Sequence, residues 1–143
     1  MNPNGIAAAA CAEAEPLVSV IIPTMASAAR AELLRRAVQS IRGSSAQPVR
    51  IITVVNGARF DPGVCDWLKS QPDVQFVYSE TPSAPAAILR GRELVQTEFF
   101  SALDDDDEYL PGSTDLKLAV LQNDPQVDVV VGNYYQHCDN TDT

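Results

Sequence analysis

The sequence predicts an α/β protein with a mostly parallel, doubly wound sheet, and three observations carry this prediction. Apolar runs typical of buried strands alternate with amphipathic helical segments, and this order is the signature of stacked β-α units. Several of the runs are continuously apolar, as expected of parallel strands that are buried on both faces. Proline residues cluster in the connections between these segments. Right-handed crossovers between the parallel strands are therefore expected.

The first half of the chain supplies two strand–helix units. Residues 17–22 form a β-branched apolar run, which predicts a buried central strand. Residues 30–42 carry apolar side chains at helical spacing, and Gly43 ends that helix. A second β-branched run at 49–55 predicts the next strand. Residues 62–70 follow as a shorter helix with an apolar inner side.

The second half continues the alternation. Residues 74–78 predict a short third strand, and 86–96 predict a helix that an internal glycine weakens. The apolar run at 99–103 predicts a fourth strand. A last helix is expected from its N-cap Ser113 to residue 123, because serine caps helices well. The apolar run at 127–132 predicts a fifth strand.

Composition narrows the class of protein. A chain of 143 residues with 45% hydrophobic and 20% charged residues predicts one soluble domain at 16–133, between a flexible leader at 1–15 and a polar tail at 134–143. The net charge of −9 argues against a nucleic-acid surface. The three cysteines form no C-x-x-C pair, which favours a reducing compartment. We expect a cytoplasmic protein, with membrane association only through a longer parent, since no apolar run reaches about 18 residues.

The fourth predicted strand runs directly into five consecutive acids, residues 104–108. Open α/β sheets bind their ligands at the carboxyl ends of strands, so this position favours a site. Crowded carboxylates repel one another, and a divalent cation with hard oxygen ligands relieves that repulsion. The sequence therefore predicts a metal-dependent phosphate site at 104–107. The alternative is a solvated acidic loop without a ligand, as acid runs commonly are.

Other polar residues follow the predicted strands. Thr24 and Asn56 suit a base or a ribose, although an Asn-Gly pair is equally ordinary turn chemistry. Arg90, on the helix that leads into the acidic strand, could approach a diphosphate or be an ordinary surface arginine. The chain has no G-x-G-x-x-G after its first strand and no P-loop motif. Phosphates would therefore have to be held by a metal.

Three segments carry a resemblance to a known family. They are Val-Ser-Val-Ile-Ile-Pro-Thr at 18–24, the strand and turn at 51–57, and the acid-rich segment at 102–111, which contains a D-x-D motif. In this order they resemble the N-terminal half of a family 2 glycosyltransferase with the GT-A nucleotide-diphospho-sugar fold. The resemblance covers about residues 16–133 and implies a nucleotide-sugar-binding domain whose sheet is incomplete.

The resemblance also implies roles for individual residues. Pro23 and Thr24 would form the pocket for the nucleotide base. Asp104 and Asp105 would serve the ribose and metal side of the site. Asp106, the second acid of the D-x-D motif, would be the main ligand of Mg²⁺ or Mn²⁺ bridging the diphosphate. Asp104 and Asp106 are thus the expected metal ligands.

The chain departs from the family pattern in three places. The second strand often ends in two acids in the family, whereas this chain has Val-Asn56, which leaves the base of the donor open. Arg90 stands at a shifted position relative to the family's Ala-Arg-Asn-x-Gly segment. The carboxylate that deprotonates the acceptor lies beyond the last predicted strand in the family. We do not expect the terminal acids Asp139 and Asp142 to replace it.

Two functions follow from the sequence. The first is the donor-binding half of a glycosyltransferase, an enzyme that transfers a sugar from a nucleotide-diphospho-sugar to an acceptor hydroxyl. The second is a non-catalytic sugar-nucleotide or metal-binding module, or a partner subunit, and activity of this chain alone stays open. The sequence leaves the acceptor open among a saccharide, a lipid and a protein. The uncovered edge of the last strand predicts either a second copy of the chain or an acceptor-binding half as a partner.

Overall fold

The computed structural model describes residues 14–136, and within that range four parallel strands form one sheet. The strands are β1 (Val18–Thr24), β2 (Arg50–Asn56), β3 (Val74–Ser79) and β4 (Phe99–Ala102). The helices are α1 (Ala31–Gly43), α2 (Pro62–Ser70), α3 (Ala84–Glu93) and α4 (Ser113–Asn123), with a 3₁₀ turn at Ala28–Arg30 before α1. The predicted class, alternating β-α units around a parallel sheet, is confirmed.

The strand order is β3-β2-β1-β4, so β1 lies inside the sheet with a parallel neighbour on each side. Val20 of β1 lies opposite Ile51 of β2 and Ser101 of β4. The chain first moves outward from β1 to β3 and then returns to place β4 on the other side of β1. The strand order therefore reverses at β1, and ligands of doubly wound sheets bind at the carboxyl end of such a reversal.

Helices cover both faces of the sheet, but unequally. Apolar side chains of α1, α2 and α4 join the larger core cluster on one face, among them Leu34, Leu68 and Leu118. On the other face, α3 is the only described helix that contributes a buried side chain, that of Ala87, to a smaller cluster. The strand members of this cluster are Ile21, Ile52 and Val54. Burial on both faces explains why the β1 and β2 sequences are mostly apolar.

Gly91 of α3 explains how that helix approaches the sheet so closely. A Cβ atom built at this position would lie 2.4 Å from Cγ2 of Ile21. Glycine lowers helix propensity, as the sequence predicted, yet here the packing of α3 on β1 requires it.

The segment after β4 is attached along α1. The backbone N–H of Tyr109 donates to Oγ of Ser40 at 2.9 Å. The N–H of Thr114 donates to the carbonyl of Ser44 at 3.1 Å, and the hydroxyls of these two residues lie 2.7 Å apart. These contacts fix the segment that follows the acid run against the C-terminal end of α1.

The predicted fifth strand at 127–132 is wrong. Residues 127–136 have no regular secondary structure, and Val129 and Val131 are 74% and 88% exposed. A cavity of about 400 Å³ lies between this segment and β4, with Phe99 and Phe100 in its wall. A strand needs neighbours for its backbone N–H and C=O groups, and this run pairs with no strand of the described sheet. An apolar composition alone does not supply that pairing.

The predicted N-cap of α4 is wrong by one residue. Gly112 occupies the N-cap position with a φ of 74°, a left-handed conformation that favours glycine. Ser113 is the first helical residue, and its buried Oγ has no hydrogen-bond partner among residues 14–136. The helix therefore starts where the glycine turns the chain. The other element boundaries agree with the prediction to within three residues, and α2 agrees at both ends.

The expected leader and tail fall mostly outside the described residues. Only residues 14 and 15 of the leader and 134–136 of the tail are described, and all five are exposed. Cys65 is free and buried on α2, whereas Cys11 and Cys138 lie outside the described range. Within 14–136 no helix combines the length and apolar character needed to cross a bilayer.

Candidate functional site

The carboxyl ends of β1, β2 and β4 are joined by a buried hydrogen-bond network. Nδ2 of Asn56 donates to the carbonyl of Thr24 at 3.1 Å. Oγ1 of Thr24 donates in turn to Oδ2 of Asp105 at 2.6 Å. All three residues are buried. The structure thus brings together three of the residues that the sequence singled out, from three different strand ends.

Arg30, at the end of the 3₁₀ turn, completes this network from the side of α1. Its Nε and Nη2 donate to Oδ1 of Asp105 at 3.1 and 2.5 Å, and Nη2 also lies 3.0 Å from Oδ2 of Asp106. The hydrogen bond to Asp105 raises the pKa of Arg30, although burial opposes this effect. The sequence interpretation did not single out Arg30. The available signal was that five adjacent acids require a nearby cation, and Arg30 is the first basic residue after β1.

The acids that flank Asp105 form an exposed cluster, which we call the acid cluster: Asp104, Asp106 and Asp107. One carboxylate oxygen from each lies within 4.8 Å of the others. The N–H of Asp107 donates to the carbonyl of Asp104 at 3.1 Å, which closes a tight turn. Three convergent carboxylates are the hard oxygen donors that Mg²⁺ and Mn²⁺ prefer. The residues present therefore fit a divalent cation.

The acid cluster is electrostatically strained. Partial loss of solvent raises the pKa of Asp107, and the charges of Asp106 and Asp104 raise it further. A bound cation would favour the ionised carboxylates and relieve this repulsion. The sequence predicted a metal site at 104–107, and the resemblance implied Asp104 and Asp106 as its ligands. In the structure Asp107 converges with these two residues.

The loop after β1 contains a backbone conformation that is unusual for its residue. Ala26 has a φ of 50°, in the left-handed region that alanine seldom adopts. Its N–H donates to Oγ1 of Thr24 at 2.9 Å, and its carbonyl accepts from the N–H of Asp61 at 2.8 Å. Such conformations cost about 1–3 kcal/mol and cluster at functional sites. Thr24 therefore orients both its own loop and the acidic loop.

The other two residues predicted at the site differ in their placement. Pro23 is buried in β1 opposite Val54 of β2, directly before Thr24. Arg90 is exposed on α3, with Nη1 2.8 Å from Oε2 of Glu93. Because α3 runs back from the carboxyl edge of the sheet and Arg90 lies in its last turn, the fold does not bring Arg90 to the network. Its role at a diphosphate stays a prediction.

A parallel α/β sheet with carboxylates at the end of the strand beside β1 is consistent with the GT-A class of fold. The family model described as Glycosyl transferase family 2 matches residues 19–143, and the chain belongs to that family. The chain is also similar to a protein of Rickettsia typhi named as an uncharacterised glycosyltransferase, with 28% identity over 124 residues. That similarity covers 87% of this chain and 38% of the relative, so the chain spans well under half of the relative's length.

Proposed function

We propose that this chain is the donor-binding part of a glycosyltransferase, which binds a nucleotide-diphospho-sugar through a divalent cation. The observation that carries the proposal is the convergence of Asp104, Asp106 and Asp107 beside the end of β1. Family membership supports glycosyl transfer as the chemistry. The D-x-D role of these acids, the cation and the donor are the parts that require an experiment.

The buried network would form the floor of the donor pocket. Pro23, Thr24 and Asn56 lie at the carboxyl ends of β1 and β2, where the nucleotide base would rest. Asp105 was expected on the ribose side of the site. A carboxylate accepts about four hydrogen bonds, and Thr24 and Arg30 supply three. One position is thus left for a ribose hydroxyl.

In this proposal the acid cluster holds Mg²⁺ or Mn²⁺, and Asp106 and Asp104 are its principal ligands. The bound cation would stabilise the negative charge that develops on the leaving nucleoside diphosphate. The chain's own contribution is to hold three carboxylates in one place at the end of a rigid strand. Arg90 is proposed at the diphosphate on the resemblance alone.

A non-catalytic sugar-nucleotide or metal-binding module is the second candidate. It is favoured by the fact that this proposal assigns both the network and the acid cluster to donor binding, and assigns no residue of the described range to an acceptor. Release of nucleoside diphosphate from a sugar donor upon addition of an acceptor would exclude this candidate. Donor binding without any release would favour it.

Calorimetric titration of UDP, GDP and dTDP, with and without Mn²⁺, tests the donor site. We expect one nucleotide to bind only in the presence of Mn²⁺, and its affinity to fall at least tenfold in Asp106→Ala, because a cation ligand is lost. Asp66→Ala is the matched control, since it removes an exposed acid from α2, away from the carboxyl edge. Binding without metal, or equal binding by wild type and Asp106→Ala, would contradict the proposal.

A further inference from the structure

We propose that Arg30 is a positioning residue, which anchors Asp105 so that the flanking acids are held together on the outer side of the loop. This inference rests on the proposed function, because it assigns the acid cluster a metal. Arg30 lies outside the cluster and belongs to the 3₁₀ turn before α1. Its role is thus to act through the carboxylates of Asp105 and Asp106 rather than by contact with the metal or the donor.

Asp105 differs from the other members of the acid run in its burial. Its side chain is 7% exposed, whereas that of Asp106 is 48% exposed. A buried carboxylate is costly unless hydrogen bonds and an opposite charge compensate it. Thr24 supplies one hydrogen bond and Arg30 supplies two together with the charge. Arg30 is therefore the principal compensation for Asp105.

The anchoring of Asp105 determines where its neighbours lie. With Asp105 held inward, the side chains of Asp104, Asp106 and Asp107 remain exposed and converge. The Nη2 atom of Arg30 also contacts Asp106 at 3.0 Å, which ties one cluster acid directly to the anchor. One guanidinium thereby fixes two consecutive residues of the turn.

A positive charge beside a cation site is otherwise hard to explain. By charge alone Arg30 would repel a divalent cation and weaken its binding. The arrangement makes sense if the geometry of the guanidinium matters more than its charge. A planar fork can donate to Asp105 through two atoms and reach Asp106 as well, whereas a lysine ammonium cannot reproduce that pattern.

Arg36, on the adjoining helix α1, provides a matched control because it pairs with another member of the same acid run. It forms an ion pair with Glu108, and both side chains are about half exposed. Neither residue belongs to the acid cluster. Arg36→Lys therefore makes the same chemical change as Arg30→Lys, without touching the anchor.

The experiment compares Arg30→Lys, Arg36→Lys and the wild type by two measurements on the 143-residue chain. The first is the exchange rate of the Asp107 amide without metal, since this N–H closes the turn. The second is the dissociation constant of Mn²⁺, measured with Mn²⁺ alone. We expect Arg30→Lys to accelerate exchange at least tenfold and to raise the dissociation constant at least fivefold. Arg36→Lys should change neither by more than about twofold.

The outcomes separate the inference from the proposed function. If Arg30→Lys behaves like the wild type in both measurements, or if Arg36→Lys matches Arg30→Lys, the positioning role is refuted. If Arg30→Met binds Mn²⁺ more tightly than the wild type, charge outweighs geometry and the inference is again refuted. If the wild type binds no Mn²⁺, the metal site of the proposed function fails, and with it the effect of Arg30 on the metal. The exchange measurement then decides the anchoring alone.

Discussion

The two ends of α1 carry the same ion-pair chemistry for different purposes. Near the beginning of the helix, Arg30 forks onto Asp105 at the carboxyl edge of the sheet. In the last turn, Arg42 forks onto Asp73, just before β3, with its Nε and Nη2 donating at 2.8 and 2.6 Å. Both pairs tie α1 to a loop of the sheet. The two pairs differ in the balance of charge around them.

At the end of α1 the charges balance. Arg42 donates to Asp73 and to the neutral side chain of Gln71, and the pKa of Asp73 lies below its ordinary value because of Arg42. At the beginning of α1 acids are in excess, and the pKa of Asp107 is raised. A balanced pair stabilises the fold, whereas surplus charge held in place is an unfavourable state that a ligand can relieve. The contrast therefore separates a structural ion pair from a candidate site.

The largest effect should come from breaking the buried pair on its basic side. Arg30→Met leaves Asp105 buried with only the hydroxyl of Thr24, so we expect a loss of about 3 kcal/mol in the free energy of unfolding. Asp105→Asn should cost less, about 1–2 kcal/mol, because Arg30 is one-third exposed and keeps Asp106. Urea denaturation of the two variants measures both values. Equal losses would show that the burial of Asp105 is not what distinguishes this end of α1.

The ion pair of Arg42 and Asp73 should contribute less to the free energy of unfolding, and its contribution should depend on pH. We expect Asp73→Asn to lower the free energy of unfolding by about 1 kcal/mol at pH 7, since both partners are partly exposed. Because the pKa of Asp73 is depressed in the folded state, its contribution is complete above the ordinary value of about 3.8 and is lost as pH falls through the folded value. The wild type and the variant should therefore converge as the pH falls below that ordinary value. A difference that persists in acid would rule out the ion pair as its cause.

Local patterns were sufficient to predict most of the fold. Helix α2 was predicted at both ends from its apolar inner side. In the structure Asp61 caps its start, where its side chain accepts from the N–H of Val64 at 3.0 Å. The run at 127–132 has an equally apolar composition but no paired neighbour in the described sheet. Composition predicts that a segment can be a strand, and only pairing makes it one.

The location of the candidate site was predictable from the sequence, but the burial and the partners of its individual residues were not. The acid run and the strand ends were visible in the sequence, because parallel strands present their carboxyl ends to one edge. The burial of Asp105 among four exposed acids was not predictable, because nothing in a run of adjacent acids indicates which side chain is buried. Its partner Arg30 lies 75 residues earlier, and local patterns contain no information about such a distant contact.

The smallest effect should come from Glu108→Gln. This variant tests most directly whether burial or ion pairing gives Asp105 its contribution to stability. Glu108 and Asp105 belong to one acid run, and each is paired with an arginine near or on α1. They differ in burial, since Glu108 is 45% exposed and Asp105 is 7% exposed. Exposed pairs contribute little, so we expect the free energy of unfolding to change by less than about 0.5 kcal/mol. If urea denaturation of Glu108→Gln instead shows a loss like that of Asp105→Asn, ion pairing would matter more than burial. Asp105 would then contribute no more to stability than an exposed acid of the same run.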